Sequence, residues 1–531
     1  MNPSAAAPKK RRLSFGNAAA LLVATAFLGQ LLGFLRTKLV NANFPATGPH
    51  STDSYFAAFN IPDFFFFTLA AGALGVAFMP VLSDHLHKND KKGVWELSNS
   101  LLNLLAILMA VVGIVMLLFA KPLISHVVAP NLTPAQLDNA TNIMRFLAFN
   151  PLLFSISGVL TSVQQTFGRF FFYAVAPLFY NLSIIASIFI FKHSLGLVGL
   201  GLGAFLGAIL QLLIVIVGMN GTDFQWKSGI MWRSKDFQLI LRNLPARSID
   251  QGVDQINSIV ETNFARRLGE GYVSYYNNAY TLSMAPILLI GTAISTAAFP
   301  RLNERLSQGR PDLFRHDFLR ILRAMIWISA PLVVVCFFTR GYLAHLIFSR
   351  DNNQIARIFG YLTVAIFFRI VYAIISRWFY AQKDTKTPLF VSIFTIALNI
   401  VLVSFLARAK SYGVDGLALA QSIVAVVEVS ILIMIMLLRD HRLFDGVFWG
   451  GVTRIMSVTG FSVLTAFIMI TIYPLGAGDR GILTLGSKLL LIAGITFGVH
   501  VSLSMLFGLE EARPVINRLK KIMLKPIKVD Y

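Results

Sequence analysis

Residues 96–119 read ELSNSLLNLLAILMAVVGIVMLLF, an apolar run in which the only charged side chain is Glu96. A helix of about 20 predominantly apolar residues is long enough to cross the hydrocarbon core of a bilayer. Similar runs recur along the whole chain of 531 residues. The sequence therefore predicts an all-α polytopic membrane protein with about 14 transmembrane helices.

The composition agrees with this class of protein. Hydrophobic residues make up 56% of the chain and charged residues 13%, against roughly 25% charged residues in typical soluble domains. The net charge of +21 would indicate nucleic-acid binding in a soluble protein. Here the basic residues fall mostly in short loops between apolar runs, which the topology rule for membrane proteins explains better. We therefore expect no nucleic-acid partner.

Two of the predicted spans are unusually long. Spans 2 and 8 contain Pro62 and Pro286, so we expect both helices to be bent or broken there, because proline removes a backbone hydrogen bond. The predicted spans cover residues 17–40, 54–82, 96–119, 138–167, 171–192, 195–219, 237–265, 272–303, 315–339, 354–381, 387–407, 413–438, 449–473 and 484–507.

Positive charge predicts the orientation of the chain. The N-terminal segment 1–16 carries four basic residues and the tail 508–531 carries six, whereas the loop 41–52 has none. Lysine and arginine are enriched in cytoplasmic loops, so both termini are predicted to lie in the cytoplasm. The tail is also partly amphipathic, so it either lies on the anionic inner leaflet or is solvated.

The two halves of the sequence share landmarks in the same order, at an offset between 211 and 221 positions. This repetition predicts two six-helix lobes, 17–219 and 236–438, followed by two extra helices in 449–507. Because six is an even number, both lobes have the same orientation, and the repeat is parallel. The landmarks are AFMP at 77–80 and AFP at 298–300, GLVGL at 196–200 and GVDGL at 413–417, and Pro177 and Pro388.

Ionisable side chains inside spans are candidate functional residues, because they are costly unless they face a cavity or a partner. Arg36 lies deep in span 1, and its guanidinium could bind a phosphate through two hydrogen bonds. The alternative is a helix-end arginine that extends outward to the interface. Asp53 begins span 2 and is either a helix cap or a gate partner. Asp63 follows Pro62, and we expect it to pair with Arg36.

Span 7 carries four ionisable residues on one helix face: Arg247, Asp250, Asp254 and Glu261. A charged helix face is not stable when it is exposed to lipid, so it either lines a cavity or pairs within the protein. Arg369 and Arg377 in span 10 are eight residues apart and share a face. These two arginines could hold carboxylates of span 7 or a diphosphate.

An ordered set of motifs carries a resemblance to a known family. The sequence resembles the MurJ/MviN family, the lipid II flippases of peptidoglycan synthesis, within the MOP exporter superfamily. The most specific motif is RWFYAQKDTKTP at 377–388, which is close to the R-x-F-Y-A-x-x-D-T-x-T-P of the family. The others include LGFLR at 32–36, TDSYFAAF at 52–59, GALGVAFMP at 72–80, GRF at 168–170 and QIN at 255–257.

The resemblance implies a MOP/MATE-like fold and a flippase, not an enzyme, in the bacterial inner membrane. Its substrate would be the undecaprenyl-diphosphate-linked precursor lipid II, moved to the outer leaflet by alternating access. Membrane lipids and peptidoglycan synthesis enzymes are the other expected partners. The expected substrate-binding residues are Arg36, Arg247, Arg369, Arg377, Gln30 and Asn60. The expected gating or coupling residues are Asp53, Asp63, Asp250, Asp254 and Glu261.

Several positions depart from the family pattern. Neutral residues, namely Gln30, Phe66, Phe67 and Thr281, stand where the family often has charged ones. Three alternatives therefore stay open: a flippase for another polyprenyl-linked oligosaccharide, a cation-coupled MATE-type multidrug exporter, or a scaffold that does not transport. The sequence has no nucleotide-binding loop and no metal-binding motif. We expect no cofactor, and coupling to the membrane potential or to a monovalent ion.

Overall fold

The computed structural model describes residues 15–71, 78–348, 350–476, 478–479, 481–515 and 517, without the side chains of residues 15–20, 23, 71 and 243–251. Within these ranges the chain is helical and contains no strand. The all-α class predicted from the sequence is confirmed.

The described residues form eighteen α-helices, three π-helical turns and one 3₁₀ turn. The α-helices are α1 (Phe15–Asn43), α2 (Thr52–Phe65), α3 (Met79–His87), α4 (Lys91–Pro122), α5 (Pro134–Leu147), α6 (Asn150–Thr166), α7 (Phe171–Phe191), α8 (Val198–Gly218), α9 (Lys235–Leu268), α10 (Tyr272–Pro286), α11 (Ala293–Ser307), α12 (Pro311–Phe338), α13 (Arg340–Ile347), α14 (Asn352–Ala381), α15 (Lys386–Leu406), α16 (Asp415–Arg439), α17 (Gly446–Ile472) and α18 (Gly481–Leu506). The π-helical turns are Phe66–Ala71, Leu123–Val128 and Ile287–Thr292, and the 3₁₀ turn is Glu510–Ala512.

Eleven helical segments in the described part of the chain are long and apolar enough to cross a membrane. They coincide with eleven of the predicted spans. The other three predicted spans, 1, 2 and 7, fall on α1, on α2 to α3 and on α9. The helix α9 carries nine charged residues among its 34, and residues 72–77 between α2 and α3 lie outside the description. The count of 14 spans stays a prediction.

The two long spans are interrupted where the sequence predicts a bend. The α-helical pattern of span 8 ends at Pro286, and the π-helical turn Ile287–Thr292 follows directly. In span 2 the turn Phe66–Ala71 begins four residues after Pro62. Single π-helical turns are common where a helix kinks. The α-helical pattern is therefore interrupted after both prolines, whereas a bend of either helix stays a prediction.

The chain divides into two compact units, residues 1–271 and 272–531. In the first unit α2 packs on α5 and α9, and α7 packs on α1 and α8. In the second unit α14 packs on α10, α12 and α16, and α17 pairs with α18. The helix α9, which the predicted boundaries assign to the second lobe, groups with the first unit. The boundaries of the two predicted lobes and their parallel relation stay predictions.

Glycines bring α7 and α8 into close contact in the first unit. A Cβ added at Gly203 would lie 2.2 Å from the Ser187 hydroxyl oxygen, and one at Gly207 would lie 3.0 Å from the Tyr180 ring. The Ser183 hydroxyl donates to the Gly203 carbonyl at 2.8 Å. Small residues allow helix backbones to approach in a membrane, where apolar burial does not drive association. These glycines therefore serve helix packing.

Polar side chains fasten α17 and α18 to α12 in the second unit. The Trp327 indole N–H donates to the Ser504 hydroxyl at 2.8 Å. His500 Nδ1 lies 2.9 Å from the Ser462 hydroxyl, and the Trp327 and His500 rings are 5.5 Å apart. All four side chains are buried. The two C-terminal helices are thus an integral part of this unit.

Candidate functional site

Arg36 is a half-buried cation on α1. Among the described residues its guanidinium makes no hydrogen bond and no ion pair, although its charge acts on Asp63, Tyr55 and Tyr180. The structure therefore brings Asp63 near Arg36 but not into direct contact with it. A guanidinium inside a span without a bonded partner keeps its donors available for an anion.

Asp63 lines a small cavity in the first unit, together with Pro62, Phe66, Asn150 and Tyr180. The Asn150 side-chain oxygen is buried there and accepts no hydrogen bond from a described group. Gln30, which we predict to bind substrate, lies half-buried on α1. The structure does not join Gln30 to Arg36 through a described contact.

The side chain of Asp53 is buried in an ion pair with Arg266. Ser51 caps α2, because its hydroxyl accepts from the backbone N–H of Asp53 at 3.1 Å. The cap interpretation of Asp53 is therefore wrong. Arg266 Nη1 lies 3.4 Å from Asp53 Oδ2, with side-chain exposures of 4% and 0%, and the Gly271 N–H donates to the same oxygen at 2.8 Å.

Further hydrogen bonds extend this ion pair into a network. Arg266 Nη2 donates to the Gln136 side-chain oxygen at 2.8 Å and to the Asn131 carbonyl at 2.9 Å. The Gln136 amide group donates to the Gly48 carbonyl at 2.9 Å and to the Glu270 carboxylate. We call this set, Asp53, Arg266, Gln136 and Glu270, the terminal ion-pair network. It joins the start of α2, the start of α5 and the end of α9, at the end of the unit that the sequence predicts to lie outside.

The charged face of α9 is only partly described. The side chains of Arg247 and Asp250 lie outside the described residues. Glu261 is buried and accepts from the Asn257 amide group at 3.0 Å, which confirms that Glu261 faces protein and not lipid. Asp254 is exposed in this structure.

Asn60 connects α2 to α9. Its side-chain oxygen accepts from the Ser258 hydroxyl at 3.2 Å and from the Thr262 hydroxyl at 3.5 Å. Asn60 is buried, so these bonds satisfy an acceptor that water cannot reach. The structure places Asn60, a predicted substrate-binding residue, in a contact between helices.

Arg369 in the second unit pairs with a buried carboxylate. Its Nη1 atom lies 3.2 Å from Glu428 Oε2 on α16, and Glu428 is 3% exposed in its side chain. The Ser392 hydroxyl donates to the other Glu428 oxygen at 2.9 Å. This network connects α14, α15 and α16. Removing one partner of a buried ion pair is strongly destabilising, so Arg369 has a structural role that its position in the sequence did not reveal.

Arg377 has no carboxylate partner among the described residues. Its guanidinium lies 5.2 Å from the Phe299 ring centre and 5.9 Å from that of Tyr380. One nitrogen donates to the Thr296 hydroxyl at 3.5 Å, whereas Nε is buried without a hydrogen bond. Contacts with aromatic faces stabilise a cation without neutralising its charge. Arg377 is therefore the counterpart of Arg36 in the second unit, a guanidinium that can bind an anion.

The end of the most specific motif forms a turn between α14 and α15. Asp384 Oδ1 accepts from the backbone N–H groups of Lys386 and Thr387 at 3.1 and 3.0 Å. The Thr387 hydroxyl donates to Asp384 Oδ2 at 2.6 Å, and Arg439 Nη1 lies 2.7 Å from the same oxygen. The DTKTP segment therefore holds the start of α15 against the end of α16.

The ionisation of Asp384 allows a test of this turn. Burial alone would raise the pKa of its carboxyl, but the bonds from Thr387 and Arg439 lower it to about 2. Because the folded pKa lies below the unfolded value of about 3.9, the stabilisation is complete above pH 4 and is lost as pH falls through about 2. We expect Asp384→Asn to lower the free energy of unfolding in detergent, by about 1.5 kcal/mol for a partly exposed charged hydrogen bond. The difference from wild type should stay constant between pH 5 and 8, and a difference that grows across this range would contradict the assignment.

Two of the neutral departures from the family pattern make local contacts. Phe66 packs edge-to-face against Phe154 at 5.6 Å, and the Thr281 hydroxyl donates to the Asn277 carbonyl of its own helix at 2.8 Å.

Sequence reasoning missed Arg266 and Glu428 as partners. The signal for Arg266 was its place at the end of span 7, at the same predicted membrane face as Asp53.

Taken together, the fold and these residues define a polytopic helical membrane protein of the transporter class. The chain matches the model of the family "Lipid II flippase MurJ" over residues 48–487, which is most of its length. It therefore belongs to the MurJ family, and it is a protein of the bacterial inner membrane.

Relatives and solved structures agree with this assignment. The "Probable lipid II flippase MurJ" of Borreliella burgdorferi is 25% identical over 462 residues, which cover 85% of this chain and 88% of that protein. The "Lipid II flippase MurJ" of Burkholderia cenocepacia is 26% identical over 408 residues, which cover 73% and 77%.

Two solved structures share the fold. A structure described as "Lipid II flippase MurJ, inward closed conformation" superposes with a TM-score of 0.72 at 18% identity, and the match covers 94% of this chain and all of that one. A multidrug resistance MATE family transporter of the MOP superfamily in an inward-facing conformation gives a TM-score of 0.65 at 16% identity, covering 80% and 98%. The MOP/MATE-like fold is therefore confirmed.

Proposed function

We propose that this chain translocates lipid II from the cytoplasmic to the outer leaflet of the inner membrane by alternating access. Membership in the MurJ family supports this function. The observation that carries it is that Arg36 makes no hydrogen bond or ion pair with a described residue. A guanidinium inside a helical span without a bonded partner is costly, and a diphosphate would supply the missing acceptors.

Arg377 supports the same function from the second unit. Its aromatic contacts with Phe299 and Tyr380 position the guanidinium and leave its charge uncompensated. We assign Arg36 and Arg377 to the diphosphate, and Arg369 to the structural pair with Glu428. The substrate-binding roles of Gln30 and Asn60 are weaker proposals, since Asn60 already bonds to α9.

The terminal ion-pair network is proposed as the outer closure of the transport path. Asp63, Asp254 and Glu261, together with Asp250, are proposed for coupling or gating. The energy would come from the membrane potential or from a monovalent ion gradient, since one charge that crosses 100 mV gains about 2.3 kcal/mol. We also propose that both termini lie in the cytoplasm and that peptidoglycan synthesis enzymes are partners.

The function is tested by depleting the protein in its host and by measuring lipid-linked precursors in each leaflet. We expect lipid II to accumulate in the cytoplasmic leaflet, and re-expression of the wild-type chain to restore its export. Accumulation of a different polyprenyl-linked oligosaccharide would show that this oligosaccharide, and not lipid II, is the substrate. Unchanged precursor levels together with increased sensitivity to cationic drugs would overturn the proposal in favour of a multidrug exporter.

A matched pair of variants separates the two arginines of α14. Arg377→Gln should lower precursor export at least roughly tenfold, the loss expected for one charge-assisted hydrogen bond, with little change in the unfolding midpoint in detergent. Arg369→Gln should instead destabilise the protein, by about 3–5 kcal/mol, because it leaves Glu428 buried without its partner. Export at the wild-type rate by Arg377→Gln would show that Arg377 does not bind the diphosphate.

A further inference from the structure

A cavity of about 680 Å³ lies at one end of the second unit. It opens between the first turns of α12, the start of α17 and the segment that follows α18. Four arginines line it, namely Arg315, Arg320, Arg323 and Arg513. The charge pattern of the sequence places this end of the unit at the cytoplasmic face. The cavity is separate from Arg377 and Arg369, and the flippase function does not use it.

Two of the arginines are held in place by carboxylates. Arg315 Nη2 lies 2.6 Å from Asp440, and Arg323 bonds to Glu511 with a side-chain exposure of 13%. A Cβ added at Gly451 of α17 would lie 2.9 Å from the Arg323 side chain. The wall of the cavity is therefore closely packed around Arg323.

The other two arginines keep their charge available. Arg320 and Arg513 are exposed, and in the part of the chain that the structure describes neither makes an ion pair or a side-chain hydrogen bond. Three acidic residues also line the cavity, namely Asp312, Asp445 and Glu510. Asp445 accepts from the Phe448 N–H at 2.7 Å as the cap of α17, Glu510 Oε2 lies 3.9 Å from Arg323 Nη2, and Asp312 is exposed in the first turn of α12. The cavity thus offers two guanidinium groups to an anion.

The surroundings indicate that such an anion would belong to a lipid. Val447, Trp449 and Met456 of α17 are 72%, 53% and 64% exposed, so an apolar helix surface begins directly beside the cavity. Tryptophan is enriched at the level of lipid head groups, and Val447 itself lines the cavity. A ligand with a phosphate in the cavity and acyl chains along α17 satisfies both surfaces.

We propose that this cavity binds the phosphate of an acidic glycerophospholipid from the inner leaflet, through Arg320 and Arg513, with the acyl chains on α17. Basic pockets between helices on the cytoplasmic side of membrane proteins are suited to anionic head groups. The bound lipid would fasten α12 to the two C-terminal helices at their cytoplasmic ends. This site goes beyond the proposed transport function and does not require it.

The test uses the purified full-length chain in nanodiscs and measures bound lipid by native mass spectrometry. Wild type should retain phosphatidylglycerol in preference to phosphatidylcholine. The double variant Arg320→Gln/Arg513→Gln should lose most of this preference, since each arginine near a lipid surface contributes roughly a fivefold factor in affinity. The control Arg233→Gln/Arg442→Gln removes two exposed arginines from the same predicted face but outside the cavity, and it should retain the preference.

Competition identifies the source of the phosphate. Glycerophosphate at millimolar concentration should not displace phosphatidylglycerol, and displacement would indicate a site for a free anion and overturn the proposal. Displacement by a stoichiometric amount of undecaprenyl diphosphate would overturn it in favour of a docking site for the transported lipid. An equal preference for phosphatidylglycerol in both double variants would also overturn it.

Discussion

Replacing Arg36 with alanine should abolish complementation of a flippase-depleted cell while the protein level in the membrane stays unchanged. The reason is that Arg36 makes no hydrogen bond or ion pair with a described residue, so its removal breaks no polar contact within the described part of the chain. Each charge-assisted hydrogen bond to the diphosphate contributes about 1.5–3 kcal/mol, and losing one lowers affinity by roughly one to two orders of magnitude. Precursor export and membrane abundance are measured side by side.

Two control variants make this test specific to the guanidinium. Arg36→Lys keeps the charge but not the planar fork, so it should restore export only in part. Arg408→Ala removes an exposed helix-end arginine that contacts the Ser404 carbonyl and the Phe405 ring, and it should leave export intact. Normal export by Arg36→Ala would indicate that Arg377 or Arg247 binds the diphosphate instead of Arg36. Normal export after replacement of all of Arg36, Arg247, Arg369 and Arg377 would refute the anionic-lipid hypothesis.

The second large effect concerns the terminal ion-pair network. Asp53→Asn and Arg266→Gln should each destabilise this end of the first unit by about 3–5 kcal/mol, because each leaves a buried charge without its partner. The double variant should lose less than the sum of the two single variants, since neither charge remains. Unfolding in detergent measures all three variants. Strict additivity would show that the two side chains act independently.

Labelling distinguishes a gate from a structural contact. In a Cys336→Ala background, a cysteine at Ser258 lies about 12 Å along α9 from Arg266, beneath the network. A membrane-impermeant thiol reagent added outside should label it faster in Asp53→Asn than in the parent. Lys121→Gln breaks an exposed ion pair with Asp138 and should change nothing, because exposed pairs contribute little. Equal labelling of Asp53→Asn and the parent would show that the terminal ion-pair network is not a gate.

Much of the fold could be predicted from the sequence, because the bilayer imposes a simple rule. Helices such as α4 and α16 consist of long apolar runs, and length alone identifies them. The helix α9 is different, because it carries a polar face of which Glu261 is buried against other helices. Its inclusion in the first unit depends on contacts with α2 and with the turn Phe66–Ala71, and no local pattern encodes such contacts.

The candidate site was predictable in its residue types but not in its pairings. The cost of a buried charge identifies Arg36, Asp53, Arg369 and Arg377 as residues with a partner or a ligand. Whether each of these residues has an internal partner or binds a ligand depends on residues that are distant in the sequence. Glu428 lies 59 positions from Arg369, and Arg266 lies 213 positions from Asp53. Sequence spacing carries no information about such pairs.

The π-helical turns determine where the chain tolerates a change of length. Deleting one residue from an α-helical span turns everything beyond it by roughly 100° about the helix axis and separates side chains from their packing partners. The turn Ile287–Thr292 already contains more residues than an α-helical turn. Loss of one residue there converts it to a regular turn and leaves α10 and α11 in their original rotational phase. Natural variation in the length of span 8 should therefore concentrate at these six positions.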